Sequence, residues 1–175
     1  MIRRLIVGSV LALTLVPTVA SAAATTSFSS KSMGIAFRYP ASWRLTSTPS
    51  GAVKQVTAYS SGSKYSLTVS VYPIKPARTM PGTLHRYIQY SSTLEGPVAA
   101  HYHWKAASFA GRPAESTVTY PATEGGVQTA IGLYVVGSHA HIYAISIESR
   151  GRPLPKNVSS FSAVYRQIFR SWKFL

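Results

Sequence analysis

The sequence predicts an α+β domain in which helices pack on a central antiparallel sheet. Two observations favour this fold class. Much of the chain consists of short runs of alternating apolar and polar residues, separated by turns that contain Gly, Pro or Ser. The last segment instead carries apolar residues at helical spacing. Because short turns join antiparallel strands, and a wide apolar helix face must be covered, the helix is expected to lie on the sheet.

The first 22 residues are predicted to be a secretory signal peptide. Residues 1–4 are cationic, an apolar run follows, and Ala20-Ser21-Ala22 has the small-residue pattern that signal peptidases cleave. The apolar run is short for a membrane span, which needs about 20 residues, so an uncleaved anchor is the less favoured alternative. Cleavage near Ala22 predicts a secreted or extracytoplasmic protein associated with the cell envelope.

The mature chain is predicted to have a flexible beginning and one domain. Residues 23–32 are rich in Ala, Ser and Thr and are expected to form a flexible lead-in. Residues 33–175 are then expected to form a single domain, because their length suits one core and they contain no repeat or second boundary. The chain has no cysteine, so this domain must be stable without disulfides.

Four strands and a helix are predicted in the first half of the domain. The strands are at residues 35–39, 43–46, 53–59 and 65–71. The fourth has the clearest period of two in the chain. The helix that follows is predicted to begin after Thr79, to have Pro81 in its first turn and to end before Gly96-Pro97.

Four more strands and a closing helix are predicted in the second half. The strands are at residues 98–109, 114–120, 127–136 and 140–148, with turn residues between them. Asn157 is a candidate cap for the helix. The helix has an apolar stripe formed by Phe161, Val164, Tyr165, Ile168, Phe169 and Trp172. A stripe this wide is expected to be buried against a sheet face.

Residues 34–43, which read GIAFRYPASW, resemble the opening motif of PsbP-like domains. Residues 109–114, the hairpin glycines at 125–126, residues 135–145 and the closing segment 161–174 also fit that family. The resemblance covers about residues 33–175 and implies an α/β/α sandwich around an antiparallel sheet. PsbP-like domains include a photosynthetic subunit, a Ran-binding import factor and many exported bacterial proteins. The resemblance therefore implies docking onto partners and not catalysis, although fold alone does not carry function.

The charge balance is strongly basic. The chain has 18 Lys and Arg but four acidic residues, all Glu, and a formal net charge of +14. Three explanations fit this excess. The protein could bind a polyanionic partner, or it could work in an acidic habitat, where a chain with few carboxylates loses few ion pairs by protonation. The net charge could also serve only to keep the protein soluble. Candidate anion- or partner-binding residues are Arg150, Arg152, Lys156, Arg166, Arg170 and Lys173. The last three recur at helical spacing opposite the apolar stripe; a solvated helix face is the alternative reading.

Two histidine pairs are candidate metal ligands: His101 with His103, and His139 with His141. Residues i and i+2 of a strand point to the same face, so two neighbouring strands could place these imidazoles around Zn²⁺ or Cu²⁺. No cysteine or aspartate is available to complete the site. The alternative is that these histidines are solvated strand ends, and no cofactor is then expected.

No catalytic residues are assigned, because the chain has no nucleophile-elbow motif and few general acids or bases. No motif supports nucleic-acid binding. The sequence thus predicts an exported, monomeric, non-catalytic binding protein whose partner is an anionic membrane surface, a wall polymer or an envelope protein. A metal-binding protein is the first alternative, and an extracytoplasmic hydrolase is the second.

Overall fold

The computed structural model describes residues 24–50, 52–74, 103–119, 123–124, 127–138, 140–151, 161 and 163–175. In chain order, these residues form β1 (Thr25–Ser30), β2 (Ile35–Pro40), β3 (Arg44–Ser50), β4 (Val53–Tyr59), β5 (Tyr65–Pro73), β6 (Lys105–Phe109), β7 (Arg112–Thr119), β8 (Thr123–Glu124), β9 (Val127–Gly137), β10 (His141–Arg150), helix α1 (Ala163–Arg170) and β11 (Lys173–Phe174). All the strand pairs among them are antiparallel.

The strands form two sheets. The large sheet has the order β3-β4-β5-β10-β9-β7-β6, with β8 paired to β9, and the small sheet has the order β1-β2-β11. At the centre of the large sheet, Val69 of β5 is opposite Ile145 of β10, and both are fully buried. Val69 alternates with polar neighbours, and this is the pattern from which β5 was predicted, because one face of the strand lies in the core.

Helix α1 and the small sheet both contribute to the core on one face of the large sheet. Tyr165 and Ile168 of α1 are buried in the same cluster as Phe37 of β2 and Val69 of β5. The Tyr165 hydroxyl donates to the Ser66 carbonyl oxygen at 2.9 Å and also contacts the carbonyl oxygen of Glu148. Since these carbonyls belong to β5 and β10, the helix is attached to the two central strands. The packing predicted from its apolar stripe is confirmed.

The structure differs from the sequence prediction at the start of the domain. Residues 23–32 were expected to be a flexible lead-in, but Thr25–Ser30 form strand β1, paired with β2 along its whole length. One aromatic contact explains the difference. The ring of Phe28 lies 5.1 Å from that of Phe37, and it covers the outer part of the core.

Of the predicted α/β/α arrangement, the described residues show the antiparallel pairing and the closing helix. Two sheets are present where one was expected, and β11 was not predicted. The helix predicted between Thr79 and Gly96 lies outside the described residues, as does the proposed cap Asn157. Within the described part of the chain, no helix is long and apolar enough to cross a membrane.

Gly34, the first residue of the PsbP-like motif, lies in the turn between β1 and β2. Its φ is +69°, and its carbonyl accepts a hydrogen bond of 2.8 Å from the amide of Leu175. A Cβ at this position would lie 2.9 Å from the hydroxyl oxygen of Tyr143. The turn therefore requires glycine both for its left-handed conformation and for space.

Gly34→Ala is expected to lower the free energy of unfolding by about 1–2 kcal/mol from the left-handed backbone alone, with a further loss from the contact with Tyr143. Denaturant unfolding measures the sum. Adding Tyr143→Phe should relieve only the steric part, because the positive φ remains. Full stability of the Gly34→Ala protein would contradict this account of the turn.

Candidate anion-binding cleft

A cleft of about 500 Å³ lies between α1 and the small sheet. Its polar lining comes from β1, β2 and the end of α1: Thr25, Arg38, Arg166, Gln167, Arg170 and Ser171. Three of these six side chains are guanidinium groups. The cleft is therefore a concave surface with concentrated positive charge.

The alternation of β2 and the period of α1 place the three arginines in the cleft. Ile35 and Phe37 of β2 are buried, so Arg38 points away from the core and is exposed. On α1, the buried stripe leaves Arg166 and Arg170 exposed, one turn apart on the same side of the helix. The residues that bury the core thus determine which positions face the cleft.

Ser171 connects the two walls of the cleft. The backbone N–H of Arg38 donates to Ser171 Oγ at 2.8 Å, and Ser171 Oγ donates to the Ile168 carbonyl at 2.7 Å. The next residue, Trp172, stacks on Phe37 of β2 with ring centroids 4.9 Å apart. These contacts fix the end of the helix against β2, so the backbone segments that carry the arginines of the two walls keep a defined relative position.

The large sheet separates this cleft from the carboxylates of Glu115 and Glu148. Glu148 accepts a hydrogen bond of 3.0 Å from Ser66 on the neighbouring strand. Its chain neighbour Ile147 is buried in the core that α1 covers, so Glu148 points to the opposite face of the sheet. Glu115 alternates in the same way with the core residue Ala114. In the described part of the chain, only cationic side chains bring charge to the cleft.

The structure divides the six predicted cationic residues. Arg166 and Arg170 line the cleft, whereas Arg150 is exposed at the end of β10 and does not. Lys173 of β11 is opposite Ala36 of β2, on the same outward side of the small sheet as Arg38. It extends the positive surface beyond the cleft. Arg152 and Lys156 lie outside the described residues.

Arg38 is the charged cleft residue that sequence reasoning missed, and the polar lining residues Thr25, Gln167 and Ser171 were not predicted either. The position of Arg38 in the alternating run at residues 35–39 indicated that it is exposed, but not what lies beside it. Its neighbour in space is the end of a helix 133 residues later in the chain. No local pattern carries that information.

Only one histidine of each predicted pair lies among the described residues. His103 is exposed before β6, and His141 is half-buried at the start of β10. Their partners His101 and His139 lie outside the described residues. In the part of the chain that is described, no three or more His, Cys, Asp or Glu side chains form a group suited to a metal ion. The metal site stays a sequence prediction.

The fold is similar to that of a solved PsbP protein. The solution structure of cyanobacterial PsbP (CyanoP) from Synechocystis sp. PCC 6803 aligns with a TM-score of 0.56 at 12% sequence identity, covering 89% of this chain and 95% of that protein. The chain therefore has a PsbP-like fold, as residues 34–43 predicted. At this identity the likeness extends to the fold alone.

Two further solved structures align with the chain. A crystal structure from Bacteroides thetaiotaomicron gives a TM-score of 0.56 at 12% identity; the match covers 85% of this chain but 48% of that one, so this chain spans about half its length. LpqN of Mycobacterium tuberculosis, involved in cell envelope biogenesis, gives a TM-score of 0.34 at 14% identity over 79% of this chain and 82% of its own. No protein-family profile and no curated protein sequence matches the chain.

Proposed function

We propose that this protein is an exported, non-catalytic docking protein that associates with an anionic component of the cell envelope through the face bearing the cleft. The observation that carries this proposal is the grouping of three arginines in one cleft, with no described glutamate side chain beside them. Arg38, Arg166 and Arg170 converge on one outer face, while Glu115 and Glu148 lie on the far side of the large sheet. The predicted signal peptide supports export, and the PsbP-like fold is compatible with docking.

An anionic membrane surface or wall polymer fits this face by charge and by exposure. The three arginines of the cleft and the neighbouring Lys173 are all exposed, so they can approach a charged layer without first breaking contacts in the core. Each basic residue near an anionic membrane contributes about 1 kcal/mol of attraction. The four together are therefore sufficient for reversible association, and an acidic envelope protein would use the same charges.

Binding to anionic vesicles is expected to depend strongly on salt. The purified protein should sediment with phosphatidylglycerol vesicles at low ionic strength, and its affinity should fall by about tenfold or more at high salt, because the attraction is between exposed charges. Neutral phosphatidylcholine vesicles provide the control. Equal binding to both vesicle types, or the same affinity at both salt concentrations, would exclude this function.

A further inference from the structure

We propose that the cleft is a specific binding site for one phosphate group that carries a small polar substituent, such as the headgroup of an anionic phospholipid. This inference rests on the proposed function and deepens it. A charged face attracts any anion by its net charge, whereas a built cleft selects one by shape and hydrogen bonding. Four properties of the cleft support the narrower assignment: its donors, their availability, their rigidity and its size.

The donors suit a group with several acceptor oxygens. Arg38 approaches from β2, and Arg166 and Arg170 approach from α1, so the anion is met from two walls. Each guanidinium offers a planar fork of N–H groups that matches phosphate oxygens. A carboxylate presents its acceptors in one plane and is satisfied by one such fork. A tetrahedral phosphate presents oxygens in several directions and can accept from arginines on both walls.

The guanidinium groups are available for a ligand. Among the described residues, no ion pair engages Arg38, Arg166 or Arg170, and the two described glutamate side chains are on the far face of the large sheet. All three arginines are exposed. Binding an anion therefore breaks no interaction that these groups make with the described part of the protein.

The walls of the cleft are fixed before a ligand arrives. The hydrogen bonds that join Arg38, Ser171 and Ile168 connect β2 to the end of α1, and the stacked pair of Phe37 and Trp172 supports the junction from the core. A site whose backbone is already in place loses less conformational entropy when it binds. The cost is then confined to the arginine side chains.

The cleft is large enough for more than a bare phosphate ion: its volume is about 500 Å³, and it is partly open to solvent. A phosphate fills a fraction of this space. The Gln167 amide and the Thr25 hydroxyl also line the cleft, and both can donate to or accept from the hydroxyl groups of a substituent such as glycerol.

The test compares two double variants that remove the same charge. Arg166→Gln/Arg170→Gln changes the cleft, whereas Arg44→Gln/Lys105→Gln removes two exposed cations that do not line it. Each protein is titrated with inorganic phosphate, glycerol 3-phosphate and acetate, followed by NMR shifts of the amides at residues 166–171. Each is also sedimented with phosphatidylglycerol vesicles, and melting temperatures verify that both variants fold.

We expect the cleft variant to lose about tenfold or more in affinity for glycerol 3-phosphate and for the vesicles, since charge-assisted hydrogen bonds are removed, and the matched variant to lose less than about twofold. If glycerol 3-phosphate binds more tightly than inorganic phosphate, the site is assigned to a lipid headgroup. If inorganic phosphate binds more tightly, the site is assigned to free phosphate, and the claim that the ligand carries a polar substituent is wrong. If acetate binds as tightly as the two phosphates, the claim that the site selects a phosphate group is wrong.

Failure of the cleft and failure of the proposed function give different results. Equal loss in both double variants would mean that net charge alone attracts the vesicles, which overturns the specific site and leaves membrane association intact. Absence of vesicle binding by the unaltered protein would instead overturn the proposed function. Arg38→Gln provides an independent check, because it changes the opposite wall and should weaken glycerol 3-phosphate binding in the same direction.

Discussion

Trp172→Ala is expected to lower the free energy of unfolding by about 3–5 kcal/mol, the range for truncating a buried aromatic side chain. Trp172 follows α1 directly and is 6% exposed. Its ring stacks on Phe37 of β2 at 4.9 Å and meets Phe109 of β6 edge-on at 5.0 Å. Because Phe37 belongs to the small sheet and Phe109 to the large one, the indole joins the two sheets. Its loss leaves a cavity between them.

Urea unfolding followed by circular dichroism measures this loss, and Trp172→Phe is the matched control. Phenylalanine keeps an aromatic ring between the sheets. The indole N–H that it removes is buried and makes no hydrogen bond to the described part of the chain. The phenylalanine variant should therefore lose less stability than the alanine variant, because it leaves a smaller cavity. If the alanine and phenylalanine variants were equally stable, the bridging role of Trp172 would be wrong.

The elements that the sequence predicted well are those with one face in the core. In β5, Leu67, Val69 and Val71 are buried and alternate with polar residues, so the period of two is visible in the sequence. The stripe that contains Tyr165 and Ile168 indicated the closing helix for the same reason. When one face of a strand or helix is buried, the spacing of its apolar residues is visible in the segment's own sequence. Such a segment can be predicted without knowing which element packs against it.

The elements that the sequence did not predict depend on distant partners. Strand β1 contains mostly Ser and Thr, and a single aromatic contact, Phe28 with Phe37, places it against the core. Strand β11 is two residues long and is defined by its pairing with β2. Neither strand has a recognisable alternation of apolar and polar residues, because each is defined mainly by its pairing with β2.

The candidate site shows the same limit. The helical spacing of Arg166 and Arg170 predicted that they share one side of α1, and both line the cleft. The second wall could not be predicted, because Arg38 reaches the cleft through a strand that meets the helix end only in the folded protein. The separation of Glu115 and Glu148 from the cleft follows from their alternation with the core residues Ile147 and Ala114, but only the folded protein shows which face of the large sheet α1 covers.

Stability is expected to fall at alkaline pH, and Tyr165 should account for much of the loss. Tyr165 is 1% exposed, and burial raises the pKa of its phenol far above the ordinary value. The nearby charge of Glu148 raises that pKa further. In the unfolded chain the phenol ionises near pH 10. Above that pH the unfolded state binds fewer protons than the folded state, so the free energy of unfolding decreases as the pH rises, by roughly 1 kcal/mol per pH unit.

Tyr165→Phe isolates this contribution. At neutral pH the variant should lose about 1 kcal/mol, because the hydroxyl no longer donates to the Ser66 carbonyl. Between about pH 8 and about pH 12 the native protein should lose roughly 2–3 kcal/mol more than the variant, which has no phenol at this position to ionise. Burial also raises the pKa of Tyr134, but that residue is present in both proteins and cancels in the difference. Urea unfolding over this pH range measures both curves, and parallel curves would show that Tyr165 does not couple ionisation to folding.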